Sequence, residues 1–313
     1  MIGSPTEATE AISHTWNHCG VTSVASLYMK SVNPKSAESE VAEENVIVGG
    51  HRVRYQRSGS GPALVLVHGL LGHSFSWRFT IPALARRFTV YAPDLLGTGF
   101  SDRVSGLDCS MRASAQRMME FLDAIGLREF DLVGTSHGGA LTTIMAASAA
   151  KRVRRLALVA PVNPWSPAGS RRIFVLSRAP GSLILRGMFM RIPPMSRWML
   201  TRLYADPRRI SPGTFEGYAA PLKIPGTLNY LLGVIGCWHR DLRQLQAEYE
   251  KIRVPTLLVW GDRDPAVLPA SAVQVQRAIR GSELVMMPGV GHLPYEESPE
   301  EFNRVLLEFL LRI

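Results

Sequence analysis

The stretch FDLVGTSHGGALTTIMAASAAK, residues 130–151, decides the fold class of this chain. A short apolar run, FDLV, leads into Gly134-Thr-Ser136-His-Gly138, and a segment rich in alanine and other helix-forming residues follows. The glycines two positions before and two positions after Ser136 allow a strand and a helix to approach each other closely. The stretch therefore predicts a strand, a sharp turn and a helix, with the Ser136 hydroxyl raised at the positive end of the helix.

Apolar runs of the same kind recur along the chain and indicate a sheet of buried parallel strands. They are ALVLVHG, FTVYAPD, FDLVGTS, RLALVAP, PTLLVWGD and the shorter ELVMMPG. Helical patterns lie between them, over residues 77–87, 110–125 and 138–151. VIVGGHRVRYQRSG reads as a hairpin that turns at Gly49-Gly50 and supplies two edge strands. Strands that alternate with helices predict an α/β fold, a mostly parallel central sheet flanked by helices.

The alternation breaks once, and this break defines the expected domains. About 90 residues between Pro161 and Arg253 carry helical patterns without a comparable strand. We expect an α/β core at 46–162 and 251–313, an inserted helical cap or lid at 163–250, and an N-terminal extension at 1–45. The chain closes with a predicted amphipathic helix after a capping box formed by Ser298 and Glu301.

Composition limits the class of protein and its surroundings. With 46% hydrophobic and 19% charged residues, the 313-residue chain is an ordinary globular protein, which excludes wholesale disorder. Most of the net charge of +9 is regional, because residues 165–250 hold 12 basic and 5 acidic side chains. Cys19, Cys109 and Cys237 form no paired or metal-binding spacing, and MIGSPTEATE does not resemble a signal peptide, so we expect free thiols and a cytoplasmic location.

Three polar residues fit a nucleophile, a base and an orienting acid. A serine hydroxyl needs a base within hydrogen-bond reach, and histidine has the matching pKa. Among eight histidines, only His292 lies on a glycine-rich loop after the last predicted strand, PGVGHLPYEESP. The base needs a carboxylate, and VPTLLVWGDRDPAVLP places Asp264 past a strand end, with Asp262 expected to be a turn residue. We therefore expect Ser136, His292 and Asp264 to act together.

An oxyanion intermediate requires two backbone N–H donors. We expect one from His137, directly after the serine, and the other from the loop HGLLG at residues 68–72, which follows an early strand. Leu70 is the preferred second donor and Leu71 the alternative. His68 is expected to be structural, holding this loop through side-chain hydrogen bonds.

Five motifs in order resemble the α/β-hydrolase superfamily over residues 45–313. They are His68-Gly69, the segment from Pro93 to Asp102, Gly134-Thr-Ser136-His-Gly138-Gly139, Trp260-Gly261-Asp-Arg-Asp264 and Gly291-His292. The resemblance implies that Asp94 is structural and that a cap falls where the insertion falls. Members that open epoxides or displace halides carry aspartate in place of Ser136, so the resemblance disfavours those reactions.

An acyl-enzyme route then remains, and carboxylic esters are the expected substrates, with thioesters and lactones compatible. The expected partner is a small, apolar acyl compound, and no metal or organic cofactor is implied. Similar proteins with helical caps hydrolyse a carbon–carbon bond in vinylogous diketones without a cofactor, and the residues leave this alternative open. Arg171, Arg172, Arg178 or Arg191 would then hold a substrate carboxylate, although solvated surface arginines are the simpler interpretation of these residues.

Other kinds of partner are less well supported by the sequence. A ligand receptor on the same fold is an alternative of another class, although every catalytic position is filled. The basic, methionine-rich cap suits an anionic lipid surface, but apolar cap helices that line a pocket explain the same residues more simply. Met188, Met190, Met195 and Met199 fit a pocket wall or core packing equally well. No nucleic-acid-binding motif is present, and the oligomeric state stays open.

Overall fold

The computed structural model describes residues 40–166 and 192–312, and a single eight-stranded sheet organises them. The strands in chain order are β1 Ala42–Val48, β2 His51–Ser58, β3 Ala63–Val67, β4 Thr89–Pro93, β5 Phe130–Thr135, β6 Val153–Val159, β7 Thr256–Gly261 and β8 Glu283–Met287. Across the sheet the order is β1-β2-β4-β3-β5-β6-β7-β8. All pairs from β4 to β8 are parallel, which confirms the predicted α/β class.

The hairpin forms as predicted, but its second strand is not an edge strand. Gly49 and Gly50 have φ of 55° and 81°, the left-handed values that a two-residue hairpin turn requires. β2 pairs antiparallel with β1 on one side and with β4 on the other, so only β1 lies at the edge. The expectation of two edge strands is therefore wrong. β1 also begins at Ala42, earlier than the core boundary expected at residue 46.

Helices cover the sheet and form the described part of the insertion. In chain order they are α1 Ile81–Leu84, α2 Met111–Ala124, α3 Ser136–Ser148, α4 Ile192–Leu203, α5 Thr214–Ala219, α6 Thr227–Tyr249, α7 Ala272–Ala278, α8 Pro294–Glu297 and α9 Pro299–Leu310. Short 3₁₀ helices lie at Ser74–Trp77, Pro207–Arg209, Pro221–Lys223 and Pro269–Ser271. Within residues 163–166 and 192–250 the insertion contains helices and no strand.

Two helical predictions need correction. The helix expected over residues 77–87 is only the 3₁₀ turn that ends at Trp77 and the four-residue α1, because Pro82 has no N–H to continue a helical ladder. The capping box before α9 is absent: the Ser298 side chain makes no capping bond, and the Glu301 carboxylate pairs with Arg304. α9 still buries the predicted apolar stripe, which includes Phe302, Leu306 and Phe309.

Strand order creates a crevice at one place on the carboxyl edge of the sheet. The chain moves from β3 to β4 on one side and then returns to β5 on the other side of β3. Loops that leave β3 and β5 therefore diverge, and ligands of open α/β sheets bind at such a switch point. Ser136 follows β5 and Leu70 follows β3, so both candidate residues lie at this crevice.

None of the helices in the described ranges is both long enough and apolar enough to cross a bilayer.

Candidate active site

Ser136 sits on a strained turn between β5 and α3. Its φ of 53° lies in the left-handed region, which costs a non-glycine residue about 1–3 kcal/mol. The close packing of the turn depends on its glycines: a Cβ on Gly138 would collide with the backbone carbonyl of His68, and one on Gly134 with the side chain of Thr142. Ser136 is half-buried at the first position of α3. The fold thus uses strain to hold this hydroxyl at a helix N-terminus.

The loop after β3 lies directly against this serine. A Cβ built on Gly69 would be 3.7 Å from Ser136 Oγ. Residues 69–72 form a tight turn in which Gly72 N–H donates to the Gly69 carbonyl at 3.0 Å, and Leu71 has a φ of 61°. The Leu70 N–H makes no hydrogen bond within the described residues, and the His137 N–H lies in the first turn of α3, where a helix offers no acceptor. Two backbone donors therefore remain available beside Ser136.

His292 and Asp264 form a buried pair on the loops after β8 and β7. His292 Nδ1 lies 2.7 Å from Asp264 Oδ2, and the two side chains are 5% and 0% exposed. The other carboxylate oxygen, Oδ1, accepts from the N–H groups of Ala266 at 2.7 Å and Val267 at 2.9 Å. A carboxylate in this position accepts from Nδ1–H, which matches the tautomer that leaves the Nε2 lone pair free. The geometry of the pair is therefore compatible with a histidine that accepts a proton at Nε2.

Glu297 holds the backbone of the histidine loop, a role that the sequence did not reveal. Its buried carboxylate accepts from Gly291 N–H at 2.7 Å, and also from Asp206 N–H at 2.9 Å and Ala205 N–H at 3.1 Å, just beyond α4. The His292 N–H donates to the Leu203 carbonyl at 2.7 Å. The end of α4 and the histidine loop are therefore fastened together.

Glu296 anchors the same region through side chains from distant parts of the chain. Its carboxylate is fully buried and accepts from both terminal nitrogens of Arg78, at 2.5 and 2.6 Å. The hydroxyls of Tyr204 and Tyr218 donate to it at 2.9 and 2.6 Å. Arg78 belongs to the core, whereas the two tyrosines belong to the insertion. This network therefore ties the insertion to the core next to the histidine loop.

The side chain of His137 is buried without a hydrogen-bonding partner in the described part of the chain. Its ring stacks on Trp238 of α6, with centroids 6.0 Å apart and planes at 17°. Burial lowers the pKa of His137 to about 4, so the imidazole is neutral at pH 7. Tyr230 and Val234 of α6 form a small apolar cluster with Cys109, and Leu70 and Trp238 each pack against this cluster. α6 thus stacks an aromatic ring on His137 and contributes to the cluster that Leu70 contacts.

The other polar residues considered from the sequence have structural positions. His68 is fully buried, with Nδ1 2.8 Å from the Gly69 carbonyl and Nε2 accepting from Leu95 N–H, as expected of a residue that holds the loop. Asp94 is buried and accepts from Ser74 and Phe100 N–H groups. Burial opposes ionisation, but the neighbouring His73 and His68, followed by these hydrogen bonds, keep the pKa of its carboxyl low. Asp262 accepts from Gly289 N–H at a turn.

Several residues considered in the insertion fall outside the described residues or face outward. Arg171, Arg172, Arg178, Arg191, Met188 and Met190 lie outside the described ranges, as does Cys19. Met199 is 39% exposed, so it neither lines a closed pocket nor packs in the core. Cys109 and Cys237 are free thiols. Among the described residues, no three His, Cys, Asp or Glu side chains are grouped to hold a metal ion.

A cavity of about 450 Å³ opens between the loop after β4 and the beginning of α6. Leu107, Cys109, Pro225 and Tyr230 contribute apolar surface to its walls. Arg103 also lines it, but its guanidinium donates to the carbonyls of residues 98, 99, 101 and 221 and to the Thr227 hydroxyl. Cys109 and Tyr230, which line the cavity, also belong to the apolar cluster against which Leu70 packs.

Comparisons with known proteins agree with this architecture. The model of the alpha/beta hydrolase family matches residues 64–305. Pyrrolizixenacetamide deacetylase from Xenorhabdus hominickii is 30% identical, with 85% of this chain and 97% of that protein covered. The 2-hydroxy-6-oxo-2,4-heptadienoate hydrolase of Pseudomonas putida is 29% identical, with 85% and 95% covered. The solved structure of the epoxide hydrolase CorEH has a TM-score of 0.77 at 23% identity, with 87% and 99% covered.

Proposed function

Because the chain belongs to the alpha/beta hydrolase family, we propose that it is a serine hydrolase that cleaves carboxylic esters, or related acyl compounds, through an acyl-enzyme intermediate. The observation that carries the proposal is the buried His292–Asp264 pair at 2.7 Å, formed on the same sheet edge that presents Ser136 at a φ of 53°. This arrangement supplies a nucleophile, a base that can accept a proton at Nε2 and a fixed acid.

In the first half of the reaction, Ser136 Oγ attacks the substrate carbonyl carbon and its proton passes to His292 Nε2. The negative charge that develops on the carbonyl oxygen is stabilised by the N–H groups of Leu70 and His137. His292 then donates the proton to the leaving alcohol as the carbon–oxygen bond breaks. Asp264 keeps the imidazolium oriented and compensates its charge throughout.

In the second half, water replaces the alcohol. His292 Nε2 removes a proton from the water molecule, whose oxygen attacks the acyl carbon, and the same two N–H groups stabilise the second oxyanion. Collapse of this intermediate returns the proton to Ser136 Oγ and releases the acid. No step requires a group that the chain itself lacks.

Apolar acyl groups are the best match to the surroundings of the site. Leu70 packs against the apolar cluster of Cys109, Tyr230 and Val234, and the cavity beside this cluster has Leu107 and Pro225 in its walls. Apolar surface of this kind gains free energy by excluding water from a hydrocarbon chain. An ester with a medium-length acyl chain therefore suits the site better than a short or charged one.

Hydrolysis of a carbon–carbon bond is the second candidate, supported by the Pseudomonas putida relative whose name describes a heptadienoate hydrolase. A dienoate substrate carries a carboxylate that needs a cation. Arg78 is engaged by Glu296, and Arg103 by backbone carbonyls and Thr227, so neither is available to hold it. Among the described residues this engagement supports the ester reaction as the first candidate; Arg171, Arg172, Arg178 and Arg191 lie outside the described ranges.

A substrate series tests the proposal. We expect wild type to hydrolyse p-nitrophenyl esters repeatedly, with a maximum at medium acyl length, and Ser136→Ala to lose this activity. Ser60→Ala, a change at an exposed serine remote in sequence, is the control and should behave as wild type. Turnover of 2-hydroxy-6-oxo-2,4-heptadienoate in place of the esters would favour the second candidate. Activity that persists in Ser136→Ala would remove the assigned nucleophile, and a single turnover without repetition would support a ligand receptor.

A further inference from the structure

The outer face of α4 carries apolar side chains that the insertion leaves in solvent. Trp198 is 55% exposed and the adjacent Met199 is 39% exposed. The opposite face of the helix is packed, because Leu200 is buried and Tyr204, just beyond the helix end, is buried as well. Tryptophan is highly buried in most soluble proteins, so a half-exposed tryptophan beside an exposed methionine needs an explanation. Neither side chain lines the described cavity.

Arginines surround these two side chains. The Arg202 guanidinium lies 4.5 Å from the centroid of the Trp198 ring, and Arg202 is exposed. Arg197, with a 62% exposed side chain, lies on the same helix, and Arg208 and Arg209 follow it at 89% and 43%. The acidic groups in contact with these arginines are Glu216, 3.9 Å from Arg197; Asp206, paired with Arg208; and the buried Glu297, 3.9 Å from Arg209. The two arginines of α4 itself, Arg197 and Arg202, therefore have one acidic contact between them among the described residues, the Glu216 carboxylate at 3.9 Å.

We propose that this surface, formed by Arg197, Trp198, Met199 and Arg202 and called the Trp198 face, docks on an anionic lipid bilayer. An interfacial helix places aromatic and apolar side chains at the headgroup boundary and its arginines among lipid phosphates. The long arginine side chains extend along the apolar surface and keep their charges in the headgroup region. Charge complementarity to an anionic surface favours this occupant over a second copy of the same basic face.

Docking would position the candidate active site at the membrane. The Leu203 carbonyl at the end of α4 accepts the backbone N–H of His292, and the carboxylate of Glu297 bridges residues 205, 206 and 291. A bilayer held by the Trp198 face is therefore coupled through backbone contacts to the histidine loop. If the proposed ester hydrolysis holds, esters that partition into lipid meet the site at high local concentration; the docking itself does not depend on that reaction.

Vesicle sedimentation tests the docking without any substrate. We expect the protein to sediment with phosphatidylcholine vesicles that contain phosphatidylglycerol at low salt, to be released in part by high salt, and to bind pure phosphatidylcholine vesicles weakly. Trp198→Ala/Met199→Ala and Arg197→Glu/Arg202→Glu should each lower the partition coefficient roughly tenfold or more, because both the apolar insertion and the charge attraction contribute.

Matched variants on other surfaces control for general effects. Leu268→Ala/Met286→Ala removes side chains that are 40% and 39% exposed, and Arg277→Glu/Arg280→Glu reverses two exposed charges on and just after α7. Both should bind vesicles as wild type does. Circular dichroism melts establish that each variant is folded, and Arg202→Glu alone serves if a double variant is not.

Three results would overturn the proposal. The first is an absence of sedimentation with anionic vesicles at low salt. The second is wild-type sedimentation by the two Trp198-face variants, which would place lipid contact elsewhere. The third is a wild-type dimer in size-exclusion chromatography without lipid that the variants abolish, which would make the face a contact between two copies. Loss of ester turnover with intact vesicle binding would count against the proposed function and leave the docking in place.

Discussion

The two sides of the candidate site are built in opposite ways. On the histidine side, Asp264, Glu296 and Glu297 have their carboxylate oxygens occupied by hydrogen bonds, so orientation comes from buried polar networks. On the serine side, orientation comes from backbone strain at Ser136 and from apolar packing under α6, and the His137 ring has no polar partner in the described chain. The difference teaches that the proposed proton-transfer group is held in place by polar partners, whereas the proposed substrate-binding donors are left unpaired.

Asp264→Asn removes the carboxylate that accepts from His292 on the histidine side, and it should cause the largest loss of activity. The amide can still accept at one oxygen, but its NH₂ group cannot accept from His292 Nδ1–H, so the wrong tautomer is favoured. We expect kcat to fall about 10⁴-fold, as for the equivalent change in a serine protease triad. Steady-state kinetics measure this. Asp262→Asn, two residues away and bonded only to Gly289 N–H, is the control, and an equal loss in both variants would contradict the assignment.

Glu296→Gln removes the buried carboxylate that pairs with Arg78 on the histidine side, and it should lower the free energy of unfolding. It leaves the Arg78 guanidinium, 19% exposed, without its charged partner. Removing one member of a buried ion pair costs about 3 kcal/mol in free energy of unfolding. Urea denaturation measures the loss. Glu308→Gln breaks the exposed pair with Arg304 and should cost less than about 1 kcal/mol; similar costs for the two variants would refute a special role for Glu296.

Acidification should lower the free energy of unfolding, because the buried His137 side chain is neutral in the folded protein. Burial lowers the pKa of this histidine to about 4, below the value of an unfolded chain, so the unfolded state binds the proton first. The contribution of neutral His137 to the free energy of unfolding is complete above about pH 6.5 and is lost as the pH falls toward 4. At pH 5 the loss is about 2 kcal/mol.

His137→Phe removes this titrating group, and denaturation at pH 7 and pH 5 shows whether it matters. The loss of stability on acidification should be smaller in the variant by the amount assigned to His137. His73, whose pKa burial also lowers to about 4, remains in both proteins and keeps part of the acid sensitivity. An unchanged difference between the two pH values would show that His137 is already hydrated or protonated.

Trp238→Ala should have the smallest effect. It removes the ring that stacks on His137 and packs against the cluster that Leu70 contacts, so water gains access to the proposed donors. We expect kcat to fall about tenfold, the equivalent of one aromatic contact. Trp238→Phe keeps a stacking ring and should restore most of the rate. A fall in Trp238→Ala that Trp238→Phe does not restore would point to the indole N–H rather than to stacking.

The sequence predicted the parallel sheet and the alpha/beta hydrolase family because apolar strands and glycine-bounded turns are local signals. It also predicted that Asp264 and His292 lie on loops after neighbouring strands, and the structure brings them to 2.7 Å. It missed Glu296 and Glu297 because, apart from Gly291 N–H, their partners are backbone N–H groups and side chains more than 70 residues away. No local sequence pattern predicts such contacts. The adjacent acids Glu296 and Glu297 in HLPYEESP were the single feature of the sequence that pointed to them.

The pairing partner of β2 and the break after Trp77 were missed for different reasons. Alternating residues predict a strand but not which neighbour it takes, so the contact of β2 with β4 had no sequence signal. Pro82, in contrast, was visible in the sequence, and its missing N–H prevents one continuous helix from running from Trp77 into α1. The capping box failed because Glu301 has a better partner in Arg304 on the same helix face.

Covalent trapping of the nucleophile tests the central claim most directly. The protein is treated with a fluorophosphonate, which phosphonylates an activated serine, and the digested peptides are analysed by mass spectrometry. We predict one stoichiometric adduct on the tryptic peptide of residues 129–151, assigned by fragmentation to Ser136, and no adduct in Ser136→Ala or after acid denaturation. An adduct on another serine, or sustained ester turnover by a protein that forms no adduct at Ser136, would contradict the account.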